Sequence, residues 1–166
     1  MSPDAYTLAG SEVSIPPLGV GTWSWGDRST WGMGGYDAEL TRESIQEAWD
    51  ASIDAGVTLF DTAEVYGRGA SERFIGSMLA RDPQRALSAV IATKFMPFPW
   101  KLRVCGALLA SLRASLDRLG REAVDLYQIH GPISLRSHEA LADALAAAHE
   151  MGLVKAVGVS NYSADE

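Results

Sequence analysis

The 166-residue chain is 47% hydrophobic and 21% charged and carries a formal net charge of −7. This composition is typical of a globular protein, and the length suits one domain, residues 1–166, with a sizeable core. The acidic balance, without a cluster of lysines and arginines, argues against nucleic acid or an anionic membrane as a partner and favours a small molecule.

Cysteine content and hydropathy limit the class of protein further. The single cysteine, Cys105, excludes an internal disulfide framework, and no Cys/His spacing typical of zinc ligands occurs, so we expect no metal site. We expect Cys105 to be a small buried residue on a helix rather than a reactive thiol. The sequence shows neither a signal-peptide pattern nor about 18 continuous apolar residues, which predicts a soluble, cytoplasmic protein; a plastid location is the alternative.

The N-terminal part predicts a hairpin and a short strand. Residues 8–15 form the hairpin around a turn at 9–11, and the two prolines that follow end it. We expect this hairpin to be a lid rather than part of the core. Residues 18–23 (LGVGTW) then predict a strand whose glycines allow another group to approach the backbone closely.

An aromatic loop follows this strand. It contains Trp23 and Trp25 and continues as WGMGG at residues 31–35. Such a loop after a strand is more typical of a ligand-binding wall than of a core, and tryptophans packed on the surface are the alternative. We therefore predict Trp23 and Trp25 as substrate contacts.

The stretch VTLFDTAEVYGRGASE, residues 57–72, places a carboxylate and a phenol directly after a strand. Residues 57–60 form an apolar run that is too short for a helix and fits a strand buried on both faces. Asp61 ends the strand, and a carboxylate in this position requires a cationic partner from elsewhere in the chain. Tyr66 follows on the loop, so the candidate site lies where a strand passes into a helix.

Strands and helices alternate along the chain. Ser71 and Glu72 predict an N-cap and a first-turn acid for the helix after the central stretch, and residues 81–83 end that helix. The other predicted helices are 41–55, 102–119 and 141–151, with Ser137 as the cap of the last and with Gly56, Gly120 and Gly152 as stops. The later predicted strands are 89–93, 124–129 and 154–159.

Polar residues stand at the ends of successive strands: Asp61, Lys94, His130, Ser160 and Asn161. They recur at intervals of about 30 to 36 residues, the length of one strand-helix unit, which predicts a parallel sheet. A doubly wound sheet and a (β/α)₈ barrel both have this alternation. The stretch GVGTWSWG lacks the third glycine of a dinucleotide-binding loop, and polar residues at several strand ends are typical of the barrel.

The stretches GVTLFDTAEVYGRGASE, IATK, DLYQIH and VGVSN together closely resemble the motifs of the aldo-keto reductase superfamily, and the resemblance covers nearly the whole chain. The GTWSWGD loop is most similar to cyanobacterial and plastid-type members. Family members are about twice as long and close eight strands, and this chain matches the first half. The resemblance implies an α/β fold of the TIM type, a (β/α)₈ barrel with only about the first five strands and four helices present.

The resemblance implies NADPH-dependent reduction of an aldehyde or ketone to an alcohol. Tyr66 would donate the proton, and because a phenol has a pKa of about 10, a nearby Lys94 would favour its ionised form. Asp61 would hold the Lys94 ammonium, and His130 would hydrogen-bond the substrate oxygen. Taken singly, these residues have structural alternatives: a packing tyrosine, an ion pair at the barrel rim and a satisfied histidine.

The resemblance also implies contacts with NADP(H), which the family uses more often than NAD. Ser160 and Asn161 match positions that hydrogen-bond the nicotinamide carboxamide. The other residues expected beside the nicotinamide half are Gly21, Thr22, Trp23 and Asp61. The protein would supply orientation and electrostatics, while the hydride chemistry belongs to the cofactor.

The short length leaves a second functional class open, a catalytically silent half-barrel that serves as a binding or assembly module. Exposed strand edges also predict self-association of half-barrels or marginal stability, together with weak affinity for the cofactor. His138 and His149 lie on or beside the last predicted helix, away from the strand ends, and we expect both to be solvated.

Overall fold

Five parallel strands form one sheet and follow one another in chain order. The structure is a computed structural model that describes residues 5–26 and 40–165, so the predicted aromatic segment at 31–35 lies outside the described residues. A hairpin of β1 (Tyr6–Thr7) and β2 (Ser14–Ile15) precedes the sheet. The sheet consists of β3 (Gly19–Gly21), β4 (Leu59–Asp61), β5 (Val90–Phe95), β6 (Val124–Ile129) and β7 (Val154–Val159).

The order of the strands distinguishes the two architectures that the sequence left open. Each new strand pairs with its predecessor, in the order β3-β4-β5-β6-β7. A doubly wound sheet reverses direction at a switch point, whereas a barrel adds every strand on the same side. The predicted arrangement, five strands of a TIM-type barrel, is therefore confirmed.

The helices between the strands agree closely with their sequence signals. They are α1 (Arg42–Asp54), α2 (Ala70–Arg81), the single turn α3 (Pro83–Ala86), α4 (Val104–Leu119) and α5 (His138–Glu150). Gly56 and Gly120 follow α1 and α4 with φ angles of 77° and 65°, a left-handed conformation that glycine adopts without strain. Helix α5 begins directly after its cap, Ser137, three residues earlier than the predicted start.

The predicted N-cap of α2 is wrong. Gly69, with φ of 80°, occupies the cap position without a side-chain hydrogen bond, and Ser71 lies inside the first turn. The Ser71 hydroxyl is buried and lies 2.7 Å from Thr22 Oγ1 and 2.8 Å from Thr62 Oγ1. Since these partners come from the ends of β3 and β4, Ser71 joins the helix to the sheet instead of capping it.

A continuous apolar core separates the sheet from the helices. Trp49 of α1 stacks on Phe60 of β4 with ring centroids 4.0 Å apart, and Leu108 and Leu112 of α4 are fully buried. Cys105 is exposed on α4, so its predicted burial is wrong. The buried stripe of α4 starts at Val104 and continues through Leu108, which turns the neighbouring Cys105 outward.

The hairpin and the sheet edges complete the surroundings of the barrel strands. The hairpin residues 10–14 line a cavity with Val90, Asp125 and Lys155, so the hairpin covers the amino ends of the strands, as a lid would. Val157 and Val159 on the edge strand β7 are 44% and 51% exposed, and self-association through such an edge stays a prediction.

Within residues 5–26 and 40–165, every helix is too short or too polar to cross a membrane.

Candidate active site

The polar residues predicted at the strand ends line one cavity of about 540 Å³. Parallel strands present all their carboxyl ends at the same edge, which brings residues about thirty positions apart into one place. The lining consists of Trp23, Asp61, Val65, Tyr66, Lys94, Met96, His130, Ser160 and Asn161. Val65 and Met96 complete the wall between the predicted residues.

Lys94 occupies the centre of this arrangement. Its side chain is 5% exposed, and Nζ donates to Asp61 Oδ2 at 2.7 Å and to the Thr62 carbonyl oxygen at 2.8 Å. The third partner, Tyr66 OH, lies 3.4 Å away. Because an ammonium has three donors, these three oxygens satisfy it fully. The cationic partner predicted for Asp61 is confirmed.

The electrostatics of Tyr66 differ from the expected pattern. Burial and, after it, the Asp61 carboxylate raise the pKa of Tyr66 to about 12. Burial also lowers the pKa of Lys94, and the Asp61 carboxylate opposes that effect. Lys94 therefore does not bring the net pKa of Tyr66 below that of an ordinary phenol, because burial and the Asp61 carboxylate outweigh the nearby ammonium, and Tyr66 is protonated at neutral pH.

His130 stands directly after β6 with its ring against Tyr66. The two ring centroids are 5.5 Å apart in an edge-to-face arrangement, and the His130 backbone N donates to the Phe95 carbonyl oxygen at 2.9 Å. Burial, together with the nearby Lys94 ammonium, lowers the pKa of His130 to about 4. The imidazole is therefore neutral near pH 7. Its Nδ1 is buried and has no hydrogen-bond partner among the described residues.

The two tryptophans of the first loop have different surroundings. Trp23 lines the cavity and stacks on Tyr66, with ring centroids 5.9 Å apart and planes 23° apart. Trp25 is 4% exposed and packs in the core, 6.2 Å from the Phe60 ring. The predicted substrate contact of Trp25 is therefore wrong, because the turn closed by Trp25 N and the Thr22 carbonyl oxygen directs it into the core.

Some of the residues expected around a nicotinamide line the cavity, and others lie behind its wall. Ser160 and Asn161 line the cavity, and Asn161 Nδ2 donates to the His130 carbonyl oxygen at 3.0 Å. Gly21 has open space where a Cβ would lie. The Thr22 side chain is fully buried, with Oγ1 donating to the Asp61 carbonyl oxygen at 2.9 Å. Thr22 thus supports the site from behind.

Comparison with known proteins identifies the family. The sequence model described as "Aldo/keto reductase family" matches residues 17–166. The chain belongs to the aldo/keto reductase family.

Members of known sequence and structure share nearly all of this chain. A chloroplastic pyridoxal reductase of Arabidopsis thaliana is 37% identical over 162 residues, which cover 90% of this chain and 42% of that protein. The thermostable aldo-keto reductase Tm1743, solved with the inhibitor epalrestat, has a TM-score of 0.80 and 32% identity and covers 97% of this chain and 55% of that chain. An aldo-keto reductase from Klebsiella pneumoniae in complex with NADPH has a TM-score of 0.72 and 25% identity and covers 93% of this chain and 48% of that chain. The chain spans about half the length of these relatives.

Sequence reasoning missed the polar residues that support the site of this reductase-family chain. Glu64 Oε1 accepts from the Met96 backbone N at 2.8 Å and from Lys101 Nζ at 3.2 Å, which ties the loop after β5 to the turn that carries Tyr66. Glu72 is fully buried. The burial of Glu72 could have been predicted from the sequence, because Glu72, Ile75 and Leu79 follow the helical i, i+3, i+7 spacing of one buried stripe.

Proposed function

We propose that this chain carries the proton-donating side of an NADPH-dependent reductase that converts a small aldehyde or ketone to an alcohol. One observation supports the proposal most directly: Lys94 contacts both the Asp61 carboxylate and the Tyr66 hydroxyl at the edge of an open cavity. A structural ion pair at a barrel rim does not require a phenol as a third partner. We propose this activity for a barrel that contains these five strands together with the strands that complete it.

The residues at the cavity fit a nicotinamide ring. Gly21 leaves space for a flat group to approach the backbone, and Trp23 provides an aromatic face, 36% exposed. Ser160 and Asn161 present a hydroxyl and an amide at the same wall, groups that can pair with a carboxamide. These residues would hold the nicotinamide end of NADPH, which supplies the hydride when it is bound.

The proton chemistry follows from the charges around Tyr66. With a pKa of about 12, the phenol is protonated at neutral pH and can donate to the oxygen of a carbonyl whose carbon accepts a hydride. The phenolate left behind would lie 3.4 Å from the Lys94 ammonium, which stabilises it, and solvent then restores the proton. The neutral His130 imidazole would hydrogen-bond the carbonyl oxygen and orient it.

The test is an NADPH-oxidation assay with a panel of aldehydes and ketones. Because the chain spans half the length of its relatives, we would assay it alone and joined to the second half of the Arabidopsis pyridoxal reductase barrel. Turnover should fall at least ~100-fold in Tyr66→Phe, since this change keeps the ring and removes the proton donor. Tyr6→Phe is the matched control, because Tyr6 is 67% exposed on the hairpin.

Two results would contradict the proposal. One is equal turnover by Tyr66→Phe and the unmodified chain. The other is the absence of turnover on every carbonyl tested by a folded fusion that binds NADPH, as measured by the fluorescence of the reduced nicotinamide. Loss of turnover in Tyr66→Phe with unchanged NADPH binding would support a role in proton donation rather than in cofactor binding.

A further inference from the structure

A buried ion pair lies behind the cavity, and the proposed chemistry does not use it. Glu72, in the first turn of α2, is fully buried, and its Oε2 accepts from Arg118 Nε of α4 at 2.6 Å. Removing a carboxylate from water costs several kcal/mol before pairing compensates it, and the partner here, Arg118, is itself only partly buried, with 22% of its side chain exposed. An apolar pair would fill this space without that cost, so the charges themselves require an explanation.

The ion pair connects to Lys94 through strand β5. Glu72 Oε1, the second carboxylate oxygen, accepts from Thr93 Oγ1 at 2.6 Å, and Thr93 directly precedes Lys94. Side chains alternate between the two faces of a strand, so Thr93 faces α2 while Lys94 faces the cavity. Both oxygens of Glu72 are thus occupied, one by the strand that carries Lys94 and one by Arg118.

The first turn of α2 also contacts Thr62, the residue whose carbonyl oxygen binds Lys94. Ser71, next to Glu72, lies 2.8 Å from Thr62 Oγ1, and the Thr62 carbonyl oxygen accepts from Lys94 Nζ at 2.8 Å. The Ser71 hydroxyl also donates to the Thr22 carbonyl oxygen at 2.9 Å. This turn therefore fixes the ends of β3 and β4 and the middle of β5 together.

Two glycines permit Arg118 to reach Glu72. A Cβ on Gly69 would lie 2.6 Å from Arg118 Cδ, and a Cβ on Gly76 would lie 2.2 Å from the Arg118 carbonyl oxygen. The Gly76 contact is with backbone, so α2 and α4 can approach this closely only with glycine at position 76, whereas Gly69 leaves room for the Arg118 side chain itself. The close packing brings the guanidinium to the start of α2, where Nη2 also donates to Ser115 Oγ at 3.1 Å.

We propose that Glu72, held in place by Arg118, is a positioning residue that keeps Lys94 as an ammonium directed at Asp61 and Tyr66. The inference rests on the proposed function, because the position of Lys94 matters for turnover only if Tyr66 donates a proton. The titratable groups that face Lys94 are Asp61 after β4, Tyr66 on the following turn, His130 after β6 and Glu72 on α2. Burial lowers the pKa of Lys94, and the carboxylates of Asp61 and then Glu72 oppose that effect.

The lysine content of the chain makes this inference directly measurable. The sequence contains three lysines, Lys94, Lys101 and Lys155, so protein labelled with ¹³C-lysine gives three Cε signals. The variants Lys101→Arg and Lys155→Arg assign them. We expect Glu72→Gln to lower the pKa of Lys94, because the variant removes one of the carboxylates that oppose the effect of burial.

Arg118→Gln separates the role of charge from a merely structural role. This variant removes a positive charge and keeps the Glu72 carboxylate, so the pKa of Lys94 should stay the same or rise. If the pair only held α2 against α4, the two variants would shift Lys94 in the same direction or not at all. Should Glu72→Gln unfold, Glu72→Gln combined with Arg118→Gln leaves no uncompensated charge. The double variant should still lower the pKa of Lys94, because the Glu72 carboxylate is among the charges that act on Lys94 and contacts the strand that carries it.

Asp125→Asn is the matched control. Asp125 is also a buried carboxylate on the sheet, and it pairs with Lys155 Nζ at 2.6 Å and accepts from the Ile91 backbone N at 2.8 Å, at the opposite end of the strands. The control should change the Lys155 Cε signal, because it removes the ion-pair partner of that lysine, and leave the Lys94 titration unchanged.

In the reductase assay, the alkaline limb of the kcat profile should move to lower pH in Glu72→Gln by the same amount as the Lys94 titration. Absence of turnover in the folded fusion that binds NADPH would refute the proposed function without affecting the NMR result. An unchanged Lys94 titration in folded Glu72→Gln, or in the folded double variant, would overturn the inference whatever the turnover.

Discussion

Acidification should destabilise this protein through His130. The pKa of His130 falls from 6.5 to about 4 because the folded structure buries the imidazole next to the Lys94 ammonium. Between these values the unfolded chain binds a proton at this residue and the folded chain does not. The free energy of unfolding should therefore be fully retained above about pH 6.5 and decrease as the pH falls towards about 4.

The size of the effect follows from the same two values. A difference of one pKa unit corresponds to about 1.4 kcal/mol, so the full interval sets an upper bound of about 3 kcal/mol. His130 is only half-buried and lines an open cavity, where solvent screens part of the interaction. We therefore expect His130 to account for about 1 to 2 kcal/mol of the acid-induced loss.

Urea denaturation at a series of pH values measures this contribution. His130→Gln should lose about 1 to 2 kcal/mol less than the unmodified chain across the acidic window, because glutamine does not titrate. His149→Gln is the matched control, since His149 is exposed on α5. The chain has three histidines, so proton NMR can also follow each ring, and the ring of His130 should titrate near pH 4.

Parallel pH dependence in the His130 variant and the unmodified chain would refute the reasoning. An NMR titration of His130 near the ordinary histidine pKa would do so as well. In that case the imidazole would be charged in mildly acidic solution, and a neutral hydrogen-bond partner for a carbonyl oxygen would no longer follow from its surroundings.

Three further substitutions, with Gly106→Ala as the control for one of them, test other contacts. Lys94→Met should reduce turnover at least ~100-fold in the NADPH-oxidation assay, because Tyr66 loses the cation that stabilises its phenolate. Gly76→Ala should cost about 1 to 3 kcal/mol in denaturation experiments, since its Cβ would lie 2.2 Å from the Arg118 carbonyl oxygen. Gly106→Ala on α4, with no atom within 4 Å of the added Cβ, should be neutral or stabilising. Ser137→Ala should cost about 1 kcal/mol, because the side chain that caps α5 is removed.

The strands and helix ends of this protein were readable from local sequence. Residues 124–129 and 154–159 are strands with the predicted bounds, since each is a short, mostly apolar stretch that follows a glycine helix stop and precedes a polar residue. Gly56 and Gly120 end their helices because a left-handed residue stops the hydrogen-bond ladder wherever it occurs. Such signals depend on neighbouring residues only, and the alternation of strands and helices then restricts the fold to a parallel sheet.

The membership of the cavity was also largely determined by the sequence. Asp61, Lys94, His130 and Asn161 each lie at or near the carboxyl end of a strand, and parallel strands bring those ends to one edge. The repeat length therefore places these residues together before any contact is known. The sequence could not supply the pKa of Tyr66, because burial raises it and the extent of burial depends on the surrounding loops.

Only the tertiary structure decided which side chains face which partners. Trp25 and Trp23 are two residues apart, yet one packs in the core and the other lines the cavity. Glu72 and Arg118 lie 46 positions apart, and their contact depends on the close approach of α2 to α4 at Gly76 and on the space that Gly69 leaves for the Arg118 side chain. Local patterns determine whether a segment is a helix or a strand and where it ends. Burial and the pairing of side chains depend instead on residues distant in the chain. The contacts behind Lys94 therefore form only when the helices pack on the sheet.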